Sequence, residues 1–465
     1  SSFALISRLV VWDMCIRDLA QSVSFCAGFV TAYCVKKVLI GTYAEAGQSS
    51  TFGGYSHIMS ELIGNDDEVS WEGTFLAPRE MFTKSMLSDN GLVGGHWNNS
   101  YEVINQANLV LDNSSNISDA TERATVEGEA LFLRALTYFD LVKFFGGVPL
   151  RTAGVTNYGA DLDIARSTAD EIYAQVISDL TDAYAKLPTS NGEFADRYAA
   201  QALLARVYLQ QGNFASALAA ANDVLQNSGH SLASSFAGAF NNDSDGPEDI
   251  FAFQVTSQDG SNVLISHYAD QPYGGRGGDI VVDTYRTLFD STADVRLFFF
   301  YYSGFNGGIL TRKYTNEYGN VPTIRVAEMH LIRAEANFRL GSSTGLAPLT
   351  EINALRGRSG APALSSLSLD LIFNERQLEL GFEGHILHDK KRFGKSIAGL
   401  PANSSRLVCP IPQSEMDSNS FMTQNPGYYF RDFIREIKGT NFWSFFFEID
   451  LSSLNPALLG KLPSL

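Results

Sequence analysis

The chain has 465 residues, 45% of them hydrophobic and 12% aromatic, so it has ample apolar material for a large folded core. Its formal net charge of −17 at pH 7 argues against nucleic-acid binding, because a phosphate backbone rewards clustered Lys and Arg side chains; it also disfavours polyanionic ligands, although a local basic pocket could override the overall sign. Its four cysteines form no C-x-x-C pair, which excludes a dense disulfide scaffold and a Cys-rich zinc site.

Residues 1–38 form a first segment that holds three of the four cysteines. Its longest uncharged run, Leu19–Val35, is shorter than the roughly 20 apolar residues that a membrane-spanning helix needs, and polar side chains interrupt it. We therefore assign no membrane span here and separate this segment from the rest of the chain at residue 38.

From Leu39 to Asn113 we expect helices joined by a polar turn. The turn Gly64–Glu68 is rich in Asn and Asp, and Trp71 follows it closely. Further along, the run around Trp97 enters a helix that is expected to end near Leu111.

The stretch Glu127–Leu150 is the most apolar part of the sequence. Its apolar residues recur at steps of three and four, and others lie off that face, so we predict a helix that is buried between other helices. Ser118 and the acidic residues after it mark the start of the helix, while Gly146 and Pro149 mark its end. The main stripe consists of Leu131, Ala135, Tyr138, Val142 and Phe145.

Later segments predict more helices that pair with one another. Asp170–Leu187 has a helical pattern, and Arg197–Gln226 reads as two helices arranged much as in a tetratricopeptide unit. One such unit cannot bury its own apolar face, so the units must stack. Residues 324–340 and 372–384 would form further units. The predicted fold is mainly α, with stacked tetratricopeptide-like helix pairs and a loop-rich C-terminal half.

Residues 227–321 differ in character, being rich in Gly, Ser, Asn and Asp with short aromatic or β-branched runs such as Ile250–Val255. Asp270–Asp279 has the composition of a loop. Because loops held on a rigid scaffold often carry binding residues, we expect the ligand site here and around Asp66–Trp71.

Two groups of side chains could suggest catalysis or metal binding. Glu328 and Glu335 share a helical face, but an ordinary ion pair between Glu335 and Arg339 is the better interpretation. Residues 379–389 crowd acids and histidines, which we expect to pair with arginines of the same region instead of binding a metal. We therefore predict no catalytic residue, no metal and no cofactor. The crowded side chains are Glu379, Glu383, His385, His388 and Asp389, and the arginines are Arg376 and Arg392.

The central run EALFLRALTYFDLVKFFGGVPL is followed by three other distinctive stretches, Ile324–Gly341, Glu375–Gly394 and Pro410–Tyr428. Together, and in this order, they resemble the SusD/RagB family, the surface glycan- and nutrient-binding lipoproteins of bacterial outer membranes. The resemblance implies a SusD-like fold and a binding protein, not an enzyme.

The resemblance also divides the chain. It implies an N-terminal helical half at 39–226 and a C-terminal half at 227–430 that carries the binding loops and further helices. The segment 1–38 and a tail at 431–465 do not match the family pattern.

The function implied by the resemblance is capture of an oligosaccharide at the cell surface for a SusC-like TonB-dependent transporter, with a lipid anchor in the outer membrane. A RagB-like peptide-binding protein is the first alternative. A helical-toroid glycoside hydrolase and an intracellular tetratricopeptide scaffold are two more. The sequence does not specify the glycan.

Sugars are bound by flat aromatic faces together with side chains that hydrogen-bond hydroxyl groups. Aromatic, acidic and basic residues of the two loops supply both kinds of group. Trp97 and the loops after Gly394 are our next choice. The predicted ligand-binding residues are Asp66, Asp67, Trp71, Tyr273 and Arg276.

Overall fold

A computed structural model describes residues 31–157, 162–258 and 260–428. Within these ranges the chain forms 14 α-helices and six short strands, so the prediction of a mainly α-helical fold is confirmed. The N-terminal segment is described only from residue 31, and the C-terminal tail 431–465 lies outside the described residues. None of the described helices has the length and apolarity needed to cross a lipid bilayer.

The first half of the chain is built almost entirely of helices. Its elements are α1 (Ala32–Ala46), α2 (Tyr55–Gly64), β1 (Ser70–Trp71), α3 (Leu76–Phe82), α4 (Gly91–Asn113), α5 (Ala120–Phe145), α6 (Ala169–Lys186), α7 (Arg197–Gln210) and α8 (Phe214–Asn227).

The second half alternates short strands with helices. Its elements are β2 (Asp249–Phe253), α9 (Val263–Tyr268), β3 (Ile280–Val281), β4 (Phe300–Tyr302), β5 (Ile309–Thr311), β6 (Val321–Arg325), α10 (Val326–Leu340), α11 (Pro348–Arg358), α12 (Leu369–Leu380), α13 (Ile386–Arg392) and α14 (Gln413–Ser418).

Helix α5 is the predicted central helix, and it lies between α4 and α6. The Asp119 side chain accepts a hydrogen bond from the Glu122 backbone N–H and caps its first turn. Gly146 ends it with φ 74°, a conformation that glycine adopts without a steric penalty. Beyond its first turns the helix is almost wholly buried, and Phe132 meets Phe251 edge to face at 4.9 Å. The predicted burial is therefore confirmed.

Helices α5, α6, α7 and α8 pack against one another in chain order, and α8 then packs against α10. The two helices predicted within 197–226 are confirmed, with a turn at Gly212 that adopts φ 74°. One apolar core runs through both predicted halves. The boundary that the sequence places after residue 38 falls inside α1, where Val35 is buried.

Two predicted helices differ from the structure at their ends. In the predicted helix 324–340, the first two residues belong to strand β6, because Ile324 pairs with Phe251 of β2. The predicted helix 372–384 ends earlier, at Leu380. Gly381 adopts a non-helical conformation, with φ −57° and ψ 139°, which ends α12, and a side chain here would collide with the Tyr285 hydroxyl.

The strands form three two-stranded antiparallel sheets within the described residues. β4 and β5 make a hairpin, and β2 pairs with β6. β1 pairs with β3, joining Ser70 to Val281 and Trp71 to Ile280. This last pairing brings together two loops that are 200 residues apart in the sequence.

A network of buried charges ties the C-terminal segments together. Arg325, at the end of β6, bonds to Glu383 at 2.7 Å and also contacts Glu248 and Glu379. Burial alone would raise the pKa of Glu379, but three guanidinium groups, including that of Arg358, lower it to about 2. Its carboxylate therefore stays ionised in the protein interior.

Arg296 extends this network toward the β4–β5 hairpin. Its guanidinium bonds to Asp294 and Glu375, each at 2.7 Å, and reaches Glu379 at 3.3 Å. Lys313 bonds to Glu383 at 2.6 Å. The loops between β2 and β6 are thus fixed to α12 and to the turn after it by buried charge pairs.

Changing Tyr138 to Ala tests the burial of α5. The Tyr138 ring is fully buried, and its hydroxyl donates to the Arg151 carbonyl and accepts from the Arg151 N–H. We expect the free energy of unfolding to fall by roughly 3–5 kcal/mol, and urea denaturation measures it. Thr121→Ala, at an exposed position of the same helix, should change it by less than about 0.5 kcal/mol. Equal losses in both variants would contradict the packing of α5.

Changing Glu61 to Gln tests a buried carboxyl group that has no ion pair with another described residue. Burial raises the pKa of Glu61 to about 8, although the Gly384 N–H, Lys313 and Lys390 lower it in part. Because this pKa lies above the unfolded value of about 4.3, its contribution to stability is complete below that pH and is lost as pH rises toward 8.

The Gln variant stays neutral and should therefore gain stability over the parent as pH rises from about 5 to about 8, by about 1 kcal/mol per pH unit. Thermal denaturation at several pH values measures the difference, and Glu122→Gln, at an exposed position, is the control. A difference that does not change with pH would refute the assignment.

Candidate functional site

The two loops chosen from the sequence lie side by side. The β1–β3 pairing joins the end of 66–71 to the end of 270–281, and the Glu72 N–H donates to the Asp279 carbonyl at 2.7 Å. The β4–β5 hairpin adjoins them, because the Asn306 side chain donates to the Gly278 carbonyl at 3.1 Å. Three segments that are distant in sequence thus form one surface.

Trp71 does not lie on that surface. Its side chain is only 4% exposed and packs against the His267 ring, with 5.7 Å between ring centroids. It also covers Gly73, where a Cβ would lie 2.5 Å from the indole. The predicted role of Trp71 as an exposed sugar-stacking ring is therefore corrected, since strand pairing with Ile280 places the indole in the core.

Asp66 holds the shape of its loop. Its carboxylate accepts hydrogen bonds from the Lys390 ammonium at 2.7 Å and from the Ala398 backbone N–H. The neighbouring Asp67 is exposed, and its backbone carbonyl accepts a bond from the Thr284 hydroxyl. Through Ala398, Asp66 also binds one of the loops after Gly394. Its carboxylate is thus engaged with protein groups.

Tyr273 is half-buried beside the hairpin. Its ring meets Tyr301 edge to face at 5.4 Å. The Asp270 carboxylate accepts bonds from the N–H groups of Gln271 and Gly304, at 3.0 and 2.6 Å. The loop that carries Tyr273 and the tip of the hairpin are therefore held as one unit.

Arg276 is exposed and stacks on one aromatic ring, and the residue after it touches a second. Its guanidinium carbon is 4.5 Å from the centre of the Phe75 ring, which is 44% exposed. The next residue, Gly277, has φ 108° and touches Phe305, where a Cβ would come within 2.5 Å of the ring. Phe305 is 67% exposed. We call Phe75, Tyr273, Arg276 and Phe305 the aromatic platform.

The sequence reasoning missed Phe75 and Phe305. Phe75 follows the buried Trp71 by four residues, and nothing local shows which of the two rings is exposed. Phe305 sits in the run SGFNGG, whose glycines and asparagine indicate a tight turn. An aromatic residue at a turn tip is a signal that could have identified it.

Beneath the platform, polar groups form a fixed layer. His267 is within 2.9 Å of the Asp279 carboxylate and 3.3 Å of the Tyr55 hydroxyl. Burial raises the pKa of Tyr55, and so does Asp279, whereas Arg276 lowers it. The exposed rings of the platform thus lie above a layer of polar groups that bond to one another.

Two clefts lie outside the platform. One, of about 720 Å³, is lined by α4, by residues within 149–155 and 162–164, and by α14, and Trp97 forms part of its wall although only 2% exposed. The other, of about 560 Å³, is lined by α1, Phe194 and β2. Neither is lined by a platform residue. Both remain alternative positions for a ligand, and the sequence pointed only to Trp97.

The carboxylates considered for catalysis are engaged in ion pairs. The predicted pair between Glu335 and Arg339 is confirmed at 2.8 Å, and Arg392 also contacts Glu335. Glu328 bonds to Arg206. Because both carboxylates are buried and paired with guanidinium groups, neither has the environment of a general acid or base.

The crowded region 379–389 is a set of ion pairs and neutral histidines. Asp389 bonds to Arg376 and Arg392 as predicted, whereas the two glutamates bond to the buried network described above. Burial lowers the pKa of His385 and His388 well below the usual range. Across the described residues, no group of three or more His, Cys, Asp or Glu has a metal-binding arrangement.

Two family models match the sequence. One describes starch-binding proteins associating with the outer membrane and matches residues 42–209. The other describes the SusD family and matches residues 300–407. The second match includes the β4–β5 hairpin and the helices α10 to α13.

Relatives and solved structures are similar over most of the chain. The SusD-like protein P2 of Formosa agariphila is 26% identical, over 86% of this chain and 93% of its own length. A SusD superfamily protein of Bacteroides thetaiotaomicron has a TM-score of 0.76 at 24% identity, covering 85% of this chain and all of that one. A laminarin-binding SusD-like protein has a TM-score of 0.74 at 23% identity, covering 86% and 100%. The chain belongs to the SusD/RagB family.

Proposed function

We propose that this protein captures an oligosaccharide at the bacterial cell surface on the aromatic platform and does not hydrolyse it. It would deliver the ligand to a SusC-like TonB-dependent transporter and be held to the outer membrane by a lipid anchor. The observation that carries the proposal is a pair of exposed rings at one loop: Phe75 stacks on the exposed Arg276, and Phe305 touches the neighbouring Gly277.

Two exposed aromatic rings that contact neighbouring residues of one loop form more apolar surface than a single exposed side chain. A sugar ring presents flat C–H surfaces that can cover such rings, and its hydroxyl groups can bond to nearby donors and acceptors. Because each ring already contacts this loop, part of the side-chain entropy that binding would cost is already lost. The family descriptions of starch-binding proteins support this class of ligand.

Three other functions remain to be compared. A RagB-like peptide-binding protein would use the same surface, and competition between peptides and glycans distinguishes the two. A helical-toroid glycoside hydrolase needs a carboxyl pair in a cleft, whereas Glu328 and Glu335 are buried in ion pairs. An intracellular tetratricopeptide scaffold would not be reached by surface labelling of intact cells.

Incubation with a panel of glycans tests binding without turnover. We expect titration calorimetry to detect binding to at least one glycan. Because the buried carboxylates are engaged with arginines, we expect chromatography of the same mixture to show no shortened products. Products that increase in proportion to the amount of protein would contradict the proposal and favour the hydrolase.

Alanine substitutions at Phe75 and Phe305 test the platform. Truncating a central aromatic anchor commonly costs upward of about 2 kcal/mol, so each variant should bind the best panel glycan roughly thirtyfold more weakly. Leu87→Ala is the matched control, because Leu87 is also an exposed apolar residue, at 57%, and lies outside the platform. Calorimetric titration measures the affinities, and circular dichroism verifies folding.

Parental affinity in both platform variants would place the ligand elsewhere. A loss of binding in Glu102→Ala would then locate it in the cleft beside Trp97, since Glu102 lines that cleft and is exposed. A loss of binding in Gln254→Ala would locate the ligand in the cleft beside Phe194, which Gln254 lines.

A further inference from the structure

Arg276 differs from most arginines of the C-terminal half in having no carboxylate partner among the described residues. Its guanidinium is stacked on the Phe75 ring. Most arginines that follow it between residues 296 and 392 bond to an Asp or Glu. These ion-paired residues are Arg296, Arg325, Arg333, Arg339, Arg356, Arg358, Arg376 and Arg392.

Two further guanidinium groups without a carboxylate partner among the described residues lie near the platform. Arg79 is exposed and donates to the Gly73 carbonyl at 2.7 Å, two residues before Phe75. Arg312 lies 5.0 Å from the centre of the Tyr301 ring, and it donates to the Phe300 carbonyl at 3.3 Å. Neither forms an ion pair with another described residue. Three guanidinium groups at the platform therefore have no carboxylate partner among the described residues.

The acids near the platform are largely engaged. Asp279 contacts His267, and Asp270 accepts backbone N–H groups. Glu72 is bonded to the Ser70 hydroxyl and stays exposed, and Glu317 lies beside Gly274. Glu72, Glu317, Asp270 and Asp279 thus have no Lys or Arg partner among the described residues, but Asp270 and Asp279 lie largely below the surface, where hydrogen bonds hold them.

We propose that the ligand is an anionic glycan and that Arg276 selects it by binding its carboxylate or sulfate groups. This inference rests on the proposed function and names the class of ligand for the same platform. A guanidinium group presents a planar fork of N–H donors that matches carboxylate and sulfate geometry. Stacking on Phe75 orients the fork before the ligand arrives and leaves its donors exposed to solvent.

The net charge of −17 does not prevent this selection. At physiological ionic strength the Debye length is about 8 Å, so exposed charges farther away are largely screened. The charges that a bound glycan meets are those of the platform and its rim, where the exposed Arg276 lies near Arg79, Arg312, Glu72 and Glu317. Selection therefore depends on the position of the exposed Arg276 donors and not on the average charge of the chain.

Calorimetric titration of the whole protein with three oligosaccharides of matched length tests the inference. The probes are a uronic-acid oligomer, a sulfated oligomer and a neutral oligomer, each at low and high NaCl concentration. We expect at least one anionic probe to bind about tenfold more tightly than the neutral one, and its affinity to fall as salt rises. The stronger of the two anionic probes identifies carboxylate or sulfate as the recognised group.

Arg276→Gln should then weaken the anionic probe by about tenfold or more and change the neutral probe by less than about threefold. Arg276→Lys, which keeps the charge and loses the planar fork, should fall between the Gln variant and the parent. Lys36→Gln removes one exposed positive charge on α1 and should leave all affinities unchanged. Because Arg276 is exposed, these variants are expected to fold, and circular dichroism verifies it.

Three results would overturn the inference. If the neutral probe binds as tightly as both anionic ones, the proposed function stands and the anionic class is wrong. If Arg276→Gln weakens neutral and anionic probes equally, Arg276 binds sugar hydroxyls without selecting charge. If none of the three probes binds and the wider glycan panel also fails, the proposed function falls and the inference falls with it.

Discussion

Arg325 is the residue on which the C-terminal half depends, because it joins three buried carboxylates from different parts of the chain. Glu248 comes just before β2, Glu379 lies near the end of α12, and Glu383 lies in the turn that follows. Removing one partner from such a group commonly costs about 3–5 kcal/mol, because the remaining charges are left buried without compensation. The segments between β2 and β6 contain little regular structure, so these charge pairs supply the long-range connections that extended sheets provide in other folds. Arg296 adds the same connection immediately before the β4–β5 hairpin, and through it the scaffold positions Phe305.

This arrangement separates the rigid and the variable parts of the molecule. Helices α5 to α8 and α10 share one apolar core, whereas the platform is assembled from three loops that rest on that core. The Asp270 carboxylate joins the loop carrying Tyr273 to the hairpin tip through the Gly304 N–H, and β1–β3 pairing adds the loop that carries Phe75. Loops supported at several points can keep binding groups in register while their exposed residues change. The family relationship at about one quarter identity agrees with this division, since a fold can be retained while the residues at the loop tips differ.

The sequence predicted what local patterns determine. The limits of α5, α6 and the α7–α8 pair were close to correct because apolar periodicity and local end signals lie within a few residues of the helix ends, such as Asp119 and Gly146 for α5 and the turn at Gly212 between α7 and α8. The pair Glu335–Arg339 was predictable for the same reason. Trp71 was misjudged because its burial results from pairing with Ile280, more than 200 residues away. Phe75 and Phe305 were missed because the contacts that place them beside Arg276 and Gly277 are also long-range. Loop composition located the platform, but it could not determine which aromatic rings of those loops are exposed.

The charge of the whole chain and the charge of the site have different physical meanings. A net charge of −17 describes the long-range field, which favours solubility and slows the approach of anions at low salt. Affinity depends instead on the groups within about one Debye length of the bound ligand, and there the relevant property is whether a charge already has a partner. In the buried network, Arg325 and Arg296 are fully engaged by carboxylates, and they therefore contribute to structure. Arg276 is stacked on a ring and has its N–H donors exposed to solvent, so its positive charge and its donors are available to a ligand. Two arginines of one chain can thus have opposite roles, and the difference follows from burial and pairing alone.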